Sequence, residues 1–346
     1  MRRAVTFYCG GKLVPASRFR VYPIAERLQA EGWPVSVKHG YGALDQSISN
    51  ATLRKGYRAA CRLVRGLRTA AQSPRHPVVL QRLALPWTSV PELILSHRGA
   101  PIVFDFDDAV FLGTTSIGTY LRQSALKGIF ENAAHIVAGN SWLAEKVGTA
   151  RPVTVIPTCI NSEFYKPPGV RVSHDPIRIG WIGTGSNFPY LLQLVEPLKR
   201  LRSAGFEFKF VICSDSRDER LFHALGADFC RWSADRELDF LQSLDIGLMP
   251  LDGDDWCKGK CSFKLIQYMS TGCPVVASAV GFNNDVVSTG EDGFLIEDND
   301  WYSPLQALMT SEALRHKMGS AARLKVVRNF DISVAVEGYR AILESL

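Results

Sequence analysis

One stretch of the sequence places lysines around the start of a predicted helix. Residues 258–278 read KGKCSFKLIQYMSTGCPVVAS, and the apolar spacing predicts a helix over Phe263–Thr271 that begins near Ser262. The start of a helix carries backbone N–H groups and the positive end of the helix dipole, and Lys260 and Lys264 flank it here. The pattern therefore predicts an anion site that would suit a diphosphate. A capped helix beside solvated lysines is the alternative interpretation.

Acidic residues follow another predicted strand. Residues 103–108 read VFDFDD, so Asp107 and Asp108 come directly after the strand Ile102–Phe106. The carboxyl end of a parallel strand faces the crevice where ligands bind in such sheets. Asp107 could act there as a general base that accepts a proton. The alternative is a cluster that only caps the end of the strand.

The elements that must position these residues follow the same plan twice. In the first half, the strand Ala4–Cys9 runs into Gly10 and Gly11, and a helix from Ser17 to Glu31 leads to the strand Val35–Lys38. The corresponding elements of the second half are the strand Ile177–Ile182, the loop Gly183-Thr184-Gly185, the helix Tyr190–Ser203 and the strand Phe208–Cys213. Further short buried strands are predicted at Val78–Leu83, Ile136–Ala138, Thr154–Ile156, Ile246–Met249 and Val275–Ala277. Each half is therefore expected to begin its own doubly wound sheet.

The repeated plan predicts two domains, over residues 1–167 and 168–330, and a C-terminal helix over 331–346. A polar linker, residues 166–176, separates the two halves, and few contacts are expected to cross it. The last helix follows a complete second domain, so we expect it to cross back towards the first.

The composition excludes several classes of protein. The chain has 346 residues, 46% of them apolar and 21% charged, which predicts a soluble globular protein of two domains and not a disordered or fibrous one. The eight cysteines form no CxxC pair, which predicts reduced thiols in a cytoplasmic protein. The first apolar run, Ala4–Cys9, is too short for a signal peptide or a membrane-spanning helix, so any membrane contact is expected to be peripheral.

The charge is unevenly distributed along the chain. Residues 1–170 carry 21 Lys and Arg against 10 Asp and Glu, whereas residues 171–346 carry 19 against 24. No acidic residue lies between Gln46 and Pro91. The arginines of this stretch recur at helical spacing, at Arg54, Arg58, Arg62 and Arg65. Such a basic amphipathic helix, over residues 54–68, is typical of a face that lies on anionic lipid, here at the inner face of the cytoplasmic membrane. A solvated helix face is the alternative, and no nucleic-acid module or aromatic interleaving supports nucleic acid as the partner.

Together these motifs resemble those of the family 4 (group 1) glycosyltransferases. The run GKCSFKLIQYMSTGCPVVAS resembles the donor-domain signature of this family, together with Gly281, residues 290–295 and Trp301. Segments 17–20, 138–144 and 155–158 of the first half agree with the family as well. The resemblance covers nearly the whole chain and is strongest between residues 177 and 293.

The resemblance implies a retaining enzyme with the GT-B fold, in which two facing, Rossmann-like, doubly wound α/β domains form the molecule. In such enzymes the first domain holds a hydroxyl acceptor, which is a glycan, a lipid-linked molecule or a small molecule. The second domain holds a nucleoside-diphosphate sugar, for which UDP and GDP are the expected nucleotides. No metal or other cofactor is expected to be essential.

The resemblance also implies roles for particular residues. Asp107 and Asp108 stand where many relatives have a His-Asp pair beside the reacting sugar, and Lys260 and Lys264 would neutralise the leaving diphosphate. Donor binding is implied for Gly183, Gly185, Ser186, Asn187, Cys213, Ser214, Pro250, Ser262, Phe263 and Gln267. A place on the acceptor side is implied for Gly10, Gly11, Arg18, Arg20, Asn140 and Ser141.

The sequence departs from the family pattern at two places. Gly259 and Gln267 stand where relatives usually have two glutamates, and the loop 183–190 lacks the Arg and Lys that grip the diphosphate in relatives. These departures support a second hypothesis, an inactive binding or scaffold subunit with the same fold. The strand that ends in DxD also leaves open a metal-dependent transferase or a haloacid-dehalogenase phosphatase. A dinucleotide-dependent oxidoreductase is disfavoured because Phe188 takes the place of the third glycine of the fingerprint.

Overall fold

The computed structural model describes residues 3–12, 14–40, 48, 51–72, 74–169 and 174–346. The chain forms two compact units. The first unit comprises Met1–Cys159, Gly259–Cys261 and Ile332–Leu346, and the second comprises Ile160–Lys258 and Ser262–Asp331. Residues 170–173 of the predicted linker lie outside the described residues. The segment that follows Cys159 packs with the second unit, where the Tyr165 hydroxyl donates a hydrogen bond of 2.6 Å to Oε1 of Glu237.

A sheet of six parallel strands forms the centre of the first unit. The strands are β1 (Val5–Cys9), β2 (Val35–His39), β3 (Val78–Gln81), β4 (Ile102–Phe106), β5 (His135–Ala138) and β6 (Val153–Val155). Their order in the sheet is β2-β1-β3-β4-β5-β6, and neighbouring strands run parallel. Strands β1, β3 and β4 are buried along their whole length, as their apolar sequences predict. The strand order changes direction between β1 and β3, and ligands bind at such switch points in open α/β sheets.

Helices cover the sheet of the first unit. They are α1 (Pro15–Arg20), α2 (Tyr22–Ala30), α3 (Ala51–Ala71), α4 (Val90–His97), α5 (Ser116–Asn132) and α6 (Ser141–Glu145). The single helix predicted from Ser17 to Glu31 is wrong, because the helix is interrupted at Val21, where φ is −111°. Pro23 lies in the first turn of α2, and proline fits only the start of a helix because it lacks an N–H group. Ser17 lies inside α1, and its hydroxyl donates a hydrogen bond of 2.8 Å to the side chain of Gln81.

A second sheet of six parallel strands forms the centre of the second unit. The strands are β7 (Ile177–Ile182), β8 (Phe208–Ser214), β9 (Ala227–Arg231), β10 (Ile246–Met249), β11 (Val275–Ser278) and β12 (Gly293–Ile296). Their order is β12-β11-β10-β7-β8-β9, so this sheet changes direction between β7 and β10. The core around it includes Trp181, Trp301 and Phe210, which are at most 2% exposed.

The helices of the second unit include the one predicted over Phe263–Thr271, which spans Phe263–Ser270. They are α7 (Val195–Ser203), α8 (Glu219–Leu225), α9 (Glu237–Gln242), α10 (Asp255–Lys258), α11 (Phe263–Ser270), α12 (Asn283–Val286), α13 (Tyr302–Thr310) and α14 (Glu312–Asn329). The predicted helix Tyr190–Ser203 differs, since Gly185–Leu194 form a 3-10 helix that precedes α7. Pro189 lies inside this stretch and cannot donate the hydrogen bond that an α-helix requires there.

The C-terminal helix α15 (Ile332–Ser345) belongs to the core of the first unit. Its buried side chains Tyr339, Ile342 and Leu343 pack in one cluster with residues of β1, and the rings of Phe7 and Tyr339 lie 6.2 Å apart. The fold class predicted from the sequence, an α/β protein of two doubly wound parallel sheets with a returning C-terminal helix, is confirmed. Among the helices within the described ranges, none is both long enough and apolar enough to cross a bilayer.

Candidate functional site

An arginine and two aspartates meet at the carboxyl ends of β3 and β4. Nη2 of Arg82 lies 2.6 Å from Oδ1 of Asp107 and 2.5 Å from Oδ2 of Asp108, and Nε of Arg82 lies 3.0 Å from Oδ1 of Asp107. The side chain of Asp107 is 10% exposed, whereas those of Arg82 and Asp108 are about one third exposed, at 35% and 32%. The two predicted carboxylates are therefore present at the strand end, and both are paired with one arginine.

The backbone places Arg82 by an unusual conformation. Its φ is +58°, in the left-handed region that non-glycine residues rarely adopt. Its amide donates a hydrogen bond of 2.9 Å to the carbonyl oxygen of Asp105, which extends the pairing of β3 with β4 by one residue. Such a conformation costs about 1–3 kcal/mol and persists only where the surroundings enforce it. Here the hydrogen bonds from the Arg82 guanidinium to Asp107 and Asp108 stabilise this backbone conformation.

Burial and charge act in opposite directions on this cluster. Burial raises the pKa of Asp108, and the charges of Arg82 and Lys260 oppose that rise. Burial also disfavours the charge of Arg82, but the two carboxylates outweigh burial and raise the pKa of the guanidinium, which stays cationic. Arg82 thus supplies a positive charge beside Asp107 and Asp108.

The loop 259–261 packs on the same strand ends. The Asn140 side chain donates a hydrogen bond of 3.0 Å to the carbonyl oxygen of Lys260, and the Cys261 thiol lies 3.0 Å from the carbonyl oxygen of Asp107. A Cβ at Gly259 would lie 2.7 Å from the Cβ of Ala109, so no side chain fits at this position. The approach of the two backbones therefore gives a steric reason for the glycine where relatives usually have a glutamate.

Two predicted acceptor-side residues have structural partners. Arg20 is 1% exposed and donates to both carboxylate oxygens of Asp105, with Nε 2.8 Å from Oδ1 and 2.9 Å from Oδ2. Arg20 therefore presents no surface to an acceptor, and its pair with Asp105 joins α1 to β4. Asn140 caps α6, because its Oδ1 accepts a hydrogen bond of 2.7 Å from the amide of Leu143.

Of the other predicted acceptor-side residues, Gly10 and Gly11 follow β1, Arg18 lies in α1 and Ser141 begins α6. The Gly10 amide donates a hydrogen bond of 3.0 Å to the hydroxyl of Ser17, and the Gly11 residue is buried. Arg18 stacks its guanidinium on Phe19, 4.6 Å from the ring centre. Ser141 is exposed as the first residue of α6.

The basic helix α3 does not present its arginine face wholly to solvent. Nη2 of Arg65 lies 3.2 Å from the carbonyl oxygen of Gln81 and 3.1 Å from that of Arg82, and Nε of Arg54 donates to the carbonyl oxygen of Ile48. Arg62 is half-buried and only Arg58 of the four predicted membrane-facing arginines is exposed. The arginines of α3 are thus partly engaged by the first unit itself.

In the second unit, the start of α11 has the character of an anion site. Ser262 precedes the helix with φ +52°, and its hydroxyl donates a hydrogen bond of 2.7 Å to Oδ1 of Asn283 instead of capping the helix. The side chain of Asn283 is held in turn by the carbonyl oxygen of Ser278, 2.9 Å away. No side-chain cap is formed at the start of α11, where the positive end of the helix dipole lies.

Lys264 lies directly against the glycine loop that follows β7. A Cβ at Gly183 would be 2.8 Å from Cε of Lys264 and 2.5 Å from the ring of Trp181, so glycine is required here for close approach. Nζ of Lys264 lies 5.5 Å from the centre of the Trp181 ring. Gln267, one turn further along α11, is 5% exposed, and Pro250 is buried at the end of β10. The structure thus brings Lys264, Gly183 and the helix start together at the edge of the sheet where β7 and β10 end.

The rest of the glycine loop is already occupied by protein groups. The Gly185 amide donates a hydrogen bond of 3.0 Å to Oδ1 of Asp215, and the Ser186 and Asn187 side chains both lie within 3.0 Å of the Thr184 hydroxyl. Asp215 follows the buried end of β8, where Cys213 and Ser214 are at most 2% exposed. An anionic ligand would meet a carboxylate at Gly185, so the favourable part of this loop is Gly183.

Comparison with known proteins agrees with this geometry. Residues 176–310, which include Gly183 and Lys264, match the family described as "Glycosyl transferases group 1". No curated protein matches the chain in sequence. Within the described ranges, no group of three or more His, Cys, Asp and Glu side chains is arranged to hold a metal ion.

Several solved structures share the whole fold. A glycosyltransferase from Rickettsia africae ESF-5 has a TM-score of 0.73 at 14% identity, covering 100% of this chain and 99% of its own. Sucrose-phosphate synthase from Thermosynechococcus elongatus has a TM-score of 0.74 at 15% identity, covering 99% of this chain and 100% of its own. Anabaena HepE, solved with UDP and glucose, has a TM-score of 0.70 at 15% identity and covers both chains fully, at 100% each. These structures show the fold of the chain, and the match over residues 176–310 agrees with the predicted glycosyltransferase class.

Sequence reasoning missed three residues of these clusters. Arg82 lies in the stretch without acidic residues and outside the helical spacing of the other arginines, although its position directly after β3 could have placed it beside the end of β4. Asp215 and Asn283 gave no signal, because their partners Gly185 and Ser262 are distant in sequence and only the sheet brings them together.

Proposed function

We propose that the chain transfers a sugar from a UDP-linked donor to a hydroxyl group of a glycan or lipid-linked acceptor, with retention at the anomeric carbon and without an essential metal ion. The observation that carries this proposal is the contact of Lys264 with Gly183 at the start of α11, inside the segment that matches the group 1 family. Asp107, in the first unit, is the second element of the proposal.

On the donor side, the diphosphate would bind at the start of α11. The helix dipole and the ammonium group of Lys264 both favour an anion there, and Gly183 leaves room for the phosphate to approach the backbone. Both effects grow in the transition state as charge develops on the leaving UDP, which is where preorganised groups accelerate a reaction. Gln267 replaces an acid that relatives use and can still hydrogen-bond a ribose hydroxyl. UDP is supported as the nucleotide by Anabaena HepE, which was solved with UDP-glucose.

On the acceptor side, Asp107 would receive the proton of the attacking hydroxyl or support positive charge on the sugar. Arg82 keeps the carboxylates of Asp107 and Asp108 oriented by three hydrogen bonds. Gln81 lies beside Arg82, and its side-chain nitrogen is buried with no hydrogen-bond partner among the described residues. A buried N–H group without a hydrogen-bond partner costs about 1–3 kcal/mol, so a substrate oxygen that accepts a hydrogen bond from it would be stabilised.

The lipid-linked acceptor and the location of the enzyme are the finer parts of the proposal. The stretch without acidic residues, Gln46 to Pro91, supports an anionic partner for the first unit. All eight cysteines are free, which supports a reducing compartment such as the cytoplasm, at the inner face of the membrane.

Two measurements test the proposal. The thermal unfolding midpoint is measured with UDP, GDP, ADP, CMP and dTDP in excess, once with EDTA and once with magnesium. A ligand at 100 times its Kd stabilises the folded state by about 2.7 kcal/mol, and we expect UDP to do so in EDTA. Proton NMR of the product from a UDP-sugar then reports the anomer, and an inverted product would contradict retention.

A second candidate function is a binding subunit without transfer activity. Two observations favour it. No side chain fits at position 259, where relatives usually have a glutamate, and the carboxylate of Asp215 accepts the Gly185 amide at the glycine loop. Binding of UDP-sugars with neither transfer nor hydrolysis would favour this function over the first.

A further inference from the structure

Helix α3 turns an apolar face to solvent. Leu53, Leu63, Val64 and Leu67 are 68%, 54%, 44% and 73% exposed. At about 100° per residue these four side chains fall on one side of the helix, together with the exposed Gly56 and Ala60. Single exposed leucines are ordinary on protein surfaces, but a continuous apolar stripe of this kind marks an interaction site.

The opposite side of α3 packs on the first unit. Thr69 is 1% exposed, and Gly66 is buried against Leu85 and Pro91, where a Cβ would lie 3.5 and 3.4 Å from their side chains. Arg65 reaches the carbonyl oxygens of Gln81 and Arg82 on this side. The helix therefore packs Gly66, Thr69 and Arg65 on the first unit and exposes its apolar side, whereas an ordinary surface helix packs its apolar side on the core.

The neighbouring helix α4 adds to the apolar surface. Val90 and Ile94, one turn apart on α4, are 56% and 37% exposed. Trp87, which precedes α4, is 49% exposed. We call α3 residues Leu53, Leu63, Val64 and Leu67 with α4 residues Val90 and Ile94 the apolar face.

Charge indicates what covers this face. Helix α3 carries six basic residues and no acidic one, and Lys55, Arg58 and Arg68 are exposed. A second copy of the chain would bring the same cations against these, so self-association through this face is electrostatically disfavoured. An anionic lipid surface is complementary to both the apolar and the basic residues of α3. Its acyl region accepts the leucines, and its headgroups attract the cations at about 1 kcal/mol each.

We propose that the apolar face inserts into the interfacial region of a membrane that contains anionic phospholipid, with the exposed Arg68, which flanks it on α3, at the headgroups. The leucines and Val64, and not the arginine side of α3, make the deepest contact. The proposal stands apart from the donor chemistry, because vesicle binding needs neither UDP nor the residues of the transferase site.

The test is co-sedimentation of the full chain with vesicles of phosphatidylcholine alone and of phosphatidylcholine with about one third phosphatidylglycerol. The variant is Val64→Ser with Leu67→Ser. The matched control is Leu324→Ser with Val327→Ser on α14, because these residues have the same types and spacing and similar exposure, 70% and 43%. All four positions are exposed, so thermal unfolding is expected to show both double variants folded.

We expect the wild type to bind the anionic vesicles, more weakly as salt rises. Val64→Ser with Leu67→Ser should reduce that binding about tenfold or more, since each substitution removes apolar area that would otherwise leave water. The control should bind like the wild type. The proposal would be overturned if the variant Val64→Ser with Leu67→Ser bound the anionic vesicles as well as the wild type does, or if the wild type did not bind them. So would a wild-type dimer in sedimentation velocity that this variant converts to a monomer. The UDP-induced thermal shift of the same samples shows separately whether the donor proposal holds.

Discussion

Arg82 and Asp107 are 25 residues apart in sequence and are joined by two hydrogen bonds at the end of two adjacent strands, from Nε at 3.0 Å and from Nη2 at 2.6 Å. Both contacts reach the same carboxylate oxygen, Oδ1 of Asp107, while Nη2 also reaches Asp108. The pair therefore orients the carboxylate of Asp107 through Oδ1, and within the described residues Oδ2 of Asp107 makes no side-chain hydrogen bond.

Removal of Arg82 should change stability and its pH dependence. In Arg82→Gln the pKa of Asp108, already raised by burial, should rise further, because the arginine charge that opposes the rise is lost. We expect the free energy of unfolding to fall by about 1–3 kcal/mol at neutral pH. The loss is smaller than for a fully buried pair because the side chains of Arg82 and Asp108 are both about one third exposed.

The sign of the pH dependence follows from the direction of the shift. A carboxyl group with a raised pKa holds its proton longer in the folded state, so the loss of stability should grow as pH rises through that pKa and shrink in acid. Urea unfolding across pH measures it. Lys127→Gln, which removes an exposed pair with Glu131, is the control, and equal pH profiles for the two variants would contradict the assigned role.

Asp107→Asn should abolish most transfer while sparing donor binding. General acid–base groups contribute about 10²–10⁴-fold to a rate, so we expect kcat to fall by that factor and the UDP-induced thermal shift to persist. A continuous assay for released UDP measures the rate. The control is the exposed Asp298→Asn in the second unit, and a kcat for Asp107→Asn within about threefold of wild type would remove Asp107 from the mechanism.

Lys264→Met should weaken UDP binding specifically. Hydrogen bonds to charged groups contribute about 1.5–3 kcal/mol, which corresponds to a rise of about 10–100-fold in Kd. Isothermal titration with UDP measures the change. Lys258→Met removes a lysine whose Nζ lies 3.2 Å from Oδ1 of the exposed Asp255, and it should leave Kd unchanged. Equal affinity of Lys264→Met and wild type would place the diphosphate elsewhere.

Gly183→Ala tests the steric side of the donor site. The new methyl group would lie within 2.8 Å of Trp181 and Lys264, so we expect a loss of stability of about 1–3 kcal/mol and weaker UDP binding as Lys264 is displaced. Gly253→Ala is the matched control, because a Cβ there meets no atom within 4 Å. Thermal unfolding with and without UDP measures both effects, and a Gly183→Ala protein indistinguishable from the control would disprove the close approach.

Arg20→Met should destabilise the first unit strongly. Asp105 is fully buried, and removal of one partner from a buried ion pair costs about 3–5 kcal/mol because the other charge is left uncompensated. Burial raises the pKa of Asp105 against the effect of Arg20, so the loss should be smallest in acid, where the carboxyl group is protonated. The double variant Arg20→Met with Asp105→Leu should be more stable than Arg20→Met alone, as measured by urea unfolding. A lower free energy of unfolding for the double variant than for Arg20→Met would contradict this account.

Much of this protein could be predicted from local sequence. The buried strands Ile177–Ile182, Ile102–Phe106 and Ile246–Met249 have the bounds expected from their apolar residues, because a strand covered on both faces needs a continuous apolar run. The start of α11 and the lysine at position 264 were recognisable for the same reason, since helix starts and their charges are local features.

The tertiary structure alone decided which side chains meet. Arg20 and Arg65 look like surface cations in the sequence, but Asp105 and the carbonyl oxygens of Gln81 and Arg82 bind them, because the sheet brings distant strand ends to one edge. The orientation of α3 was decided in the same way. Its sequence shows an apolar side and a basic side, and only packing against the first unit determined that the apolar side faces outwards. Residue spacing specifies the faces of a helix, whereas the neighbours that each face meets depend on contacts between segments far apart in the chain.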